Sequence, residues 1–355
     1  MTTYLLAGGG TAGHVNPLLA VADTIREGDA DATVLVVGTQ EGLEARLVPA
    51  GGYELIVIPR LPFPRLPNRQ AFTFLPRLNR AIKQVAGVIR SRKVDIVVGF
   101  GGYVSTPAYL AARRVGVPIA IHEANARPGL ANRLGARYTT HVGVAFAGTS
   151  IRHAHFVGMP LRPEIEHLDR ASARPAAEDF FGLAADRPTL LITGGSLGAR
   201  RLNNTVVQSA EALIGAGWQV LHITGEKSEV KDPGLDHYRM VAYCDRMDLA
   251  LAAADFAVSR AGSGTVSEFS ALGIPSVYVP LPIGNGEQRF NAADVVRAGG
   301  GILVDDAAFL PEWLCQELVP LLANRERVRA MATAAASVGV LDGSARMVEL
   351  IKRAL

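Results

Sequence analysis

Glu268 is the acidic side chain best placed by its neighbours to receive hydroxyl protons from a bound ligand. The short apolar run Asp255 to Ser259 reads as a buried strand, and Arg260-Ala-Gly-Ser-Gly as a tight turn after it. Thr265-Val-Ser-Glu then begins a helix that Gly273 ends. A helix start presents unpaired N–H groups and partial positive charge, which suit a phosphate or sugar hydroxyls. Thr265-x-x-Glu268 also fits a capping box, in which the glutamate serves only the helix. One strand later, Pro275 to Pro280 feeds a Gly/Asn loop and a helix from Glu287 that carries Gln288 and Asn291. Neighbouring strands of a parallel sheet open into one crevice, so these two polar loops together read as a ligand site.

The elements that must position such loops follow a β-α rhythm. Tyr4 to Ala7 is a strand that runs into Gly8-Gly-Gly-Thr-Ala-Gly-His14, with a helix expected from Pro17, a residue favoured at the first helical position. Gly8, Gly10 and Gly13 satisfy GxGxxG, but the next strand, Thr33 to Val37, ends in Gly38-Thr39-Gln40 without the acid that would hold a ribose. A nicotinamide enzyme is therefore disfavoured. Val94 to Val98 leads into a loop from Gly99 to Pro107, where a helix begins, and Pro118 to Ile121 leads into a loop from His122 to Gly129. After a polar pause, Pro163 to Ala177, the pattern restarts with strand Thr189 to Thr193, loop Gly194 to Arg200, a helix from Arg201 and strand Trp218 to Ile223. The expected class is α/β, two Rossmann-like doubly wound domains facing a cleft, residues 1–160 and 161–342. The last helix, 343–355, is amphipathic and free to pack on either domain, back on the first included.

Composition agrees with that plan. A chain of 355 residues, 49% apolar and 19% charged, supports about two domains with large cores. A net charge of +3, without a dense Lys/Arg run, excludes nucleic acid as a partner. Cys244 and Cys315 match no zinc or redox spacing and read as ordinary core or loop residues in a reducing compartment. The N-terminus lacks the basic start of a signal peptide, and no apolar run approaches the ~18 residues of a spanning helix. One segment departs from the rhythm: Leu61 to Arg90 opens with prolines and phenylalanines and becomes helical after Pro76. Leu78, Ile82, Val85 and Ile89 share one helix face, with Arg77, Arg80 and Lys83 opposite. This is either a crossover helix packed on its own domain or, with Phe72, Phe74 and Leu75, a patch that rests on an anionic membrane surface.

Six stretches in register resemble one family across nearly the whole chain: GGGTAGHVNPLLAVA (8–22), GFGGYVSTPAYLAA (99–112), HEANARPGLANR (122–133), VGMPLR (157–162), GGSLGARRLN (194–203), and SRAGSGTVSE with NGEQRFNA (259–268, 285–292). The family is MurG, the peripheral membrane N-acetylglucosaminyltransferases of peptidoglycan synthesis. The resemblance implies the twin-domain GT-B fold, a UDP-N-acetylglucosamine donor in the C-terminal domain and an undecaprenyl-linked muramoyl-pentapeptide acceptor in the N-terminal one. It implies that Glu268 accepts ribose hydroxyls, and that Gly194, Gly195, Ser196 and Gly198, with Arg162, bind the diphosphate. Backbone groups of the Tyr243–Met247 segment, around Cys244 and Met247, would hold uracil; Gln288 and Asn291 would meet the sugar, with Ser263, Gly264 and Thr265 completing the donor side. Thr11, Gly13, His14, Gly102, Tyr103, His122, Glu123 and Asn125 would line the acceptor side. Leu197 stands where the family commonly has glutamine, and it cannot replace an amide's hydrogen bonds. Location at the cytoplasmic face of the membrane, and contacts with wall-synthesis or division proteins, follow from the same resemblance.

The implied reaction is displacement at the anomeric carbon with inversion. It needs a base for the acceptor's 4-hydroxyl and neutralisation of the departing diphosphate. His14, at a helix head with an ordinary pKa of about 6.5, suits the first task, unless it only positions the acceptor or caps the helix. Glu123 is the other candidate, as base or as orienter of the adjacent His122. Helix starts after Gly13 and Gly195, with Arg162, suit the second task. No Asp-x-Asp pair suggests an obligatory metal–diphosphate complex, so no cofactor is expected to be required, a divalent ion at most stimulating. Three other readings keep the fold: another acceptor, a UDP-sugar epimerase, and a non-catalytic donor-binding paralogue, which Leu197 keeps open.

Overall fold

Alternation along β1 (Thr3–Gly8) sends Tyr4 and Leu6 to one face and Leu5 and Ala7 to the other, and all four are buried. A strand covered on both sides is what a doubly wound parallel sheet requires. The computed structural model describes residues 1–61, 69–194, 199–282 and 286–355, and the side chains of 69–73 lie outside the described set. Residues 1–163 with 342–355 form one compact unit, and 164–341 form a second.

In the first unit β1 is joined by β2 (Thr33–Gly38), β3 (Glu54–Val57), β4 (Ile96–Gly101), β5 (Ile119–Glu123), β6 (Val142–Val144) and β7 (Ala154–Phe156). All pairings are parallel, in the order β3-β2-β1-β4-β5-β6-β7. The helices are α1 (Ala12–Gly28), α2 (Glu44–Ala50), α3 (Arg69–Ser91), α4 (Ser105–Val115) and α5 (Leu130–Gly135). Leu18, Val21 and Ile25 of α1, with Val348 and Ile351 of the C-terminal helix Gly343–Lys352, cover the Tyr4/Leu6 face. Val85 and Ile89 of α3, with Ala108 and Tyr109 of α4, cover the other. Each such aliphatic side chain contributes about 1.5–3 kcal/mol on burial.

The second unit opens with α6 (Pro163–Glu166) and α7 (Arg170–Phe181), and the expected pause at 163–177 is thus mostly helical. Asp169 caps α7 by accepting from the N–H groups of Ala171 and Ser172, an N-cap role that suits aspartate. Strands β8 (Thr189–Thr193), β9 (Gln219–Ile223), β10 (Tyr238–Val241), β11 (Ala254–Ser259), β12 (Ser276–Tyr278) and β13 (Gly301–Leu303) form a parallel sheet of order β10-β9-β8-β11-β12-β13. The helices that frame its loops are α8 (Arg200–Gln208), α9 (Ala210–Gly215), α10 (Met247–Ala253), α11 (Ser263–Ala271), α12 (Glu287–Asn291) and α13 (Ala293–Arg297). Arg174 forks onto Asp255 at 2.8 and 2.7 Å, and Asp255 also accepts from Thr189 N–H at 2.8 Å, which pins α7 to β8 and β11.

Both sheets reverse their strand order beside their first strand, between β1 and β4 and between β8 and β11. Ligands of open α/β sheets bind at such points, outside the carboxyl ends of the strands. The glycine-containing loops at 8–11 and 101–104 leave the first sheet there, and Gly194 and the 260–262 loop follow β8 and β11 of the second. Two helices begin earlier than expected: α1 at Ala12 with Pro17 inside it, and α3 at Arg69 with Pro76 inside it. A proline that lacks its N–H costs one hydrogen bond without forbidding the helix; in α1 burial of Val15, Pro17 and Leu18 offsets that loss, whereas Leu75 and Arg77 beside Pro76 in α3 are exposed. His122 and Glu123 lie on β5 itself rather than in the loop after it. Cys315 is neither core nor loop but an exposed residue of the helical run Leu314–Leu318. Among the described residues no helix is long and apolar enough to cross a membrane.

Candidate functional site

At the first reversal point the two glycine turns touch. A Cβ on Gly102 would lie 2.6 Å from the carbonyl oxygen of Gly9, and Gly102 has φ +79°, so its glycine is required twice over. Ser105 knits the same junction: its hydroxyl donates toward the carbonyls of Ala7 (2.9 Å) and Gly101 (2.8 Å), and its Oγ accepts from Gly101 N–H (3.0 Å). Thr11 is the N-cap of α1 and Gly13 its second residue, which puts His14 in the first turn of the helix. His14 Nδ1 lies 3.3 Å from the Gly9 carbonyl and 3.2 Å from Thr11 Oγ1. The Gly9 carbonyl only accepts, so the tautomer assigned from that bond has the proton on Nδ1 and a lone pair on Nε2; the opposite tautomer would take a proton from Thr11 Oγ1 instead. Nε2 faces the second turn, 3.1 Å from where a Gly101 Cβ would stand. Burial holds His14 below the ordinary histidine pKa, against the upward pull of the Gly9 carbonyl and the Glu44 charge. The imidazole is neutral at pH 7, with its basic nitrogen toward the turn.

Glu123 does not orient His122. Its Oε1 accepts from Asn125 N–H (2.9 Å), and its Oε2 from Gly129 N–H (3.0 Å) and Asn132 Nδ2 (2.9 Å). Burial raises its pKa despite these donors, and its oxygens are spent on shaping the 124–129 loop, a poor arrangement for a base. His122 is fully buried and donates from Nε2 to the Gly158 carbonyl at 3.0 Å, bracing the stretch that leads to Arg162, while its Nδ1 finds no partner among the described residues. Burial first, then the nearby His14, lowers its pKa to about 4. It too is braced inside the fold rather than lining a surface. Tyr103, 41% exposed at the tip of the second turn, and half-buried Asn125 reach the surface of this unit. Arg162 belongs to this first unit and is half-buried.

In the second unit Ser259 repeats the junction serine, donating to the Thr193 carbonyl at 2.7 Å. Helix α11 begins at Ser263 with Gly262 as its N-cap, so Thr265 is already its third residue. The capping-box pattern therefore has no cap residue at Thr265, and Glu268, half-buried, sits a turn further along. Ser263, Gly264 and Thr265 form the first turn of α11, and Gly194, buried, follows the end of the neighbouring strand β8. Gly195, Ser196, Leu197 and Gly198 lie outside the described residues. Of the residues assigned to the sugar, Asn291 is turned inward, 1% exposed, with Nδ2 donating to the Ala261 carbonyl at 3.2 Å. Gln288 Oε1 accepts from Leu281 N–H at 2.8 Å. Both amides thus hold loop backbone. Tyr243 is exposed, Cys244 is half-buried with its thiol pKa raised by burial, and Met247 opens α10. Asp29-Ala30-Asp31 is an Asp-x-Asp, but it turns between α1 and β2 at the far edge of the sheet, where Asp29 Oδ1 accepts from Asp31 N–H.

Two groups escaped the sequence reading. Glu44, fully buried on α2, accepts from Gly10 N–H and from Thr39 beneath the first glycine turn. Arg260, 7% exposed, pairs through Nη1 with Asp306 at 2.6 Å, and Asp306 also holds Arg201 of α8 at 2.9 Å. Both partnerships are tertiary, so spacing in the chain gives no signal for them. On α3, Ala81, Val85 and Ile89 face the core, so this half is a crossover helix; Leu75 is 69% exposed, and Arg77, Arg80 and Lys83 are exposed as well. Arg77 donates to the Arg60 carbonyl at 3.0 Å. Phe74 is half-buried, and the side chain of Phe72 lies outside the described residues.

The N-terminal domain of glycosyltransferase family 28 matches residues 4–144 and its C-terminal domain matches residues 189–347. The solved MurG of Acinetobacter baumannii shares the fold at a TM-score of 0.79 and 28% identity, over 99% of this chain and 100% of that one. A protein of Leifsonia xyli subsp. xyli, named UDP-N-acetylglucosamine–N-acetylmuramyl-(pentapeptide) pyrophosphoryl-undecaprenol N-acetylglucosamine transferase, is 68% identical over 355 residues, 100% of this chain and 99% of its own. The chain belongs to the MurG family. Its twin parallel sheets are those of the GT-B class, and like the family it is a glycosyltransferase. A UDP-GlcNAc 2-epimerase from Neisseria meningitidis, solved with UDP-GlcNAc, has a TM-score of 0.70 at 15% identity over 99% of this chain and 100% of its own, a likeness of fold alone.

Proposed function

We propose that this protein moves N-acetylglucosamine from UDP-N-acetylglucosamine to the 4-hydroxyl of undecaprenyl-diphospho-muramoyl-pentapeptide, in peptidoglycan synthesis. The observation that carries the reading is the 68% identity, from end to end, to a transferase of that name. In the step itself, O4 of the acceptor bonds to the anomeric carbon while the bond from that carbon to the diphosphate oxygen breaks and its electron pair leaves with UDP. The hydroxyl proton passes to His14 Nε2, whose lone pair the Nδ1–Gly9 hydrogen bond leaves free. Glu268 receives the ribose hydroxyls, and the first turns of α8 and α11 face the diphosphate with their unpaired N–H groups. No metal is assigned a role, so chelation is expected to leave turnover largely intact.

The membrane contact we assign to the start of α3. In a parallel α/β unit each helix starts at the carboxyl edge of the strands, so exposed Leu75, Arg77, Arg80 and Lys83 lie toward the edge that carries His14. A lipid-linked acceptor held by its anionic membrane then meets the base without leaving the bilayer surface, at the cytoplasmic face where the nucleotide donor is found. Complementation tests the function: this chain should restore growth to a bacterium depleted of its own MurG. A folded, expressed protein that fails to rescue overturns the reading.

A further inference from the structure

Glu44 lies under the first glycine turn with no surface exposed and, among the described residues, no basic partner, held by backbone and hydroxyl donors. Its Oε2 accepts from Gly10 N–H at 2.8 Å, and its Oε1 accepts from Thr39 N–H at 2.9 Å and Thr39 Oγ1–H at 2.7 Å. Space for the carboxyl group is made by glycine: a Cβ on Gly9 would come within 2.4 Å of it, and one on Gly42 within 2.0 Å. A fully buried carboxylate given this much room by its surroundings is an expensive feature, which calls for a use.

The use is in the peptide that it touches. Gly10 N–H and the Gly9 carbonyl belong to one peptide unit, and a trans peptide points them in opposite directions. On one side that unit donates to Glu44; on the other its oxygen holds His14 Nδ1 at 3.3 Å. A carboxylate that accepts from the N–H polarises the amide and strengthens its carbonyl as an acceptor. We propose that Glu44 is a positioning residue for His14, acting through the Gly9–Gly10 peptide as a directly bonded carboxylate acts on a catalytic imidazole. It fixes the tautomer with Nε2 bare, and it stabilises the imidazolium when Nε2 takes the acceptor's proton. The inference rests on the reading of His14 as base.

The other titratable groups around His14 are His122 on β5, whose proximity opposes a second positive charge, and Glu123, whose carboxylate is turned to the 125–129 loop. The β4 turn brings Gly101, and α5 brings the uncharged amide of Asn132. Glu44 itself is ionised at neutral pH: burial pushes its pKa up, but the Gly10 and Thr39 donors outweigh that and leave it below the ordinary value.

Glu44→Gln tests the assignment in the full-length enzyme. A carboxamide keeps the shape but turns an N–H₂ against one of the donors and removes the charge. The expected result is a turnover 10- to 100-fold lower, a donor KM within twofold of wild type, and the acid limb of the kcat/KM profile moved to lower pH. The His14 imidazole, followed by NMR, should titrate at lower pH by the same shift. Turnover and profile like those of the wild type overturn the proposal, as does lost turnover with an unmoved His14 titration, which marks a merely structural role. A shifted titration with an unmoved rate profile keeps the positioning role and removes His14 as base. Should the variant not fold, nitrogen-15 spectra of the wild type decide: protonated Nδ1 supports the relay, and protonated Nε2 refutes it.

Discussion

Replacing Gly102 by alanine tests whether contact between the two glycine turns builds the acceptor side. Two costs follow from the structure. At φ +79° the new Cβ pays the left-handed penalty, about 1–2 kcal/mol. It also meets the Gly9 carbonyl at 2.6 Å, a backbone atom that cannot swing aside, which adds about 1–3 kcal/mol of overpacking. Gly116→Ala is the control, because φ is +86° there and nothing stands within 4 Å of the new Cβ, so only the first cost applies. At about 2–4 °C per kcal/mol, Gly102→Ala should melt about 2–12 °C below Gly116→Ala. The difference extends to rate. Gly9 is the residue that holds His14 Nδ1, and displacement of a catalytic group by about 1 Å costs about 100-fold. Gly116 closes α4 at the opposite edge of the sheet and should leave turnover unchanged. Calorimetry and steady-state kinetics on the pair decide; equal melting and equal turnover would refute the contact as the organising feature.

Further outcomes are expected from the same geometry. His14→Ala should lower turnover about 100- to 10,000-fold with little change in donor KM, whereas Glu268→Ala should mainly raise donor KM; wild-type kinetics in both variants contradict the assignments. Charge reversal at Arg77, Arg80 and Lys83 should weaken co-sedimentation with anionic vesicles, and unchanged binding removes the patch. Burial pushes His122 and His222 down to about 4, so each is neutral in the fold and its contribution is complete above the ordinary pKa of 6.5 and lost as pH falls toward 4. Stability by urea titration should drop by about 2 kcal/mol per histidine between pH 7 and pH 5, and a flat profile contradicts this.

Much of this was legible in the chain because it is local. Short β-branched runs that feed glycine turns identify parallel strands, and four of the six motif stretches, 8–22, 99–112, 194–203 and 259–268, fall at the two reversal points. Prolines misled twice. Pro17 and Pro76 are favoured as helix starts, yet α1 reaches back to Ala12, with Val15 and Leu18 buried beside Pro17, and α3 reaches back to Arg69 although Leu75 and Arg77 beside Pro76 are exposed. His122 and Glu123 look like loop residues beside Asn125, but pairing of β5 with β6 extends the strand through both and buries them. Asn291 reads as a ligand amide, and only the fold shows Ala261 as its partner. Glu44 and the Arg260–Asp306 pair were invisible because their partners are supplied by folding; nothing in EGLEARLVP distinguishes a helix-opening glutamate from one that underlies a glycine turn.

Release of UDP from UDP-N-acetylglucosamine, followed with and without the lipid-linked muramoyl-pentapeptide, tests the central claim most directly. Acceptor-dependent release, with the sugar recovered on the lipid, is the predicted result. Interconversion of the nucleotide sugar in the absence of acceptor, or binding without release, would contradict it.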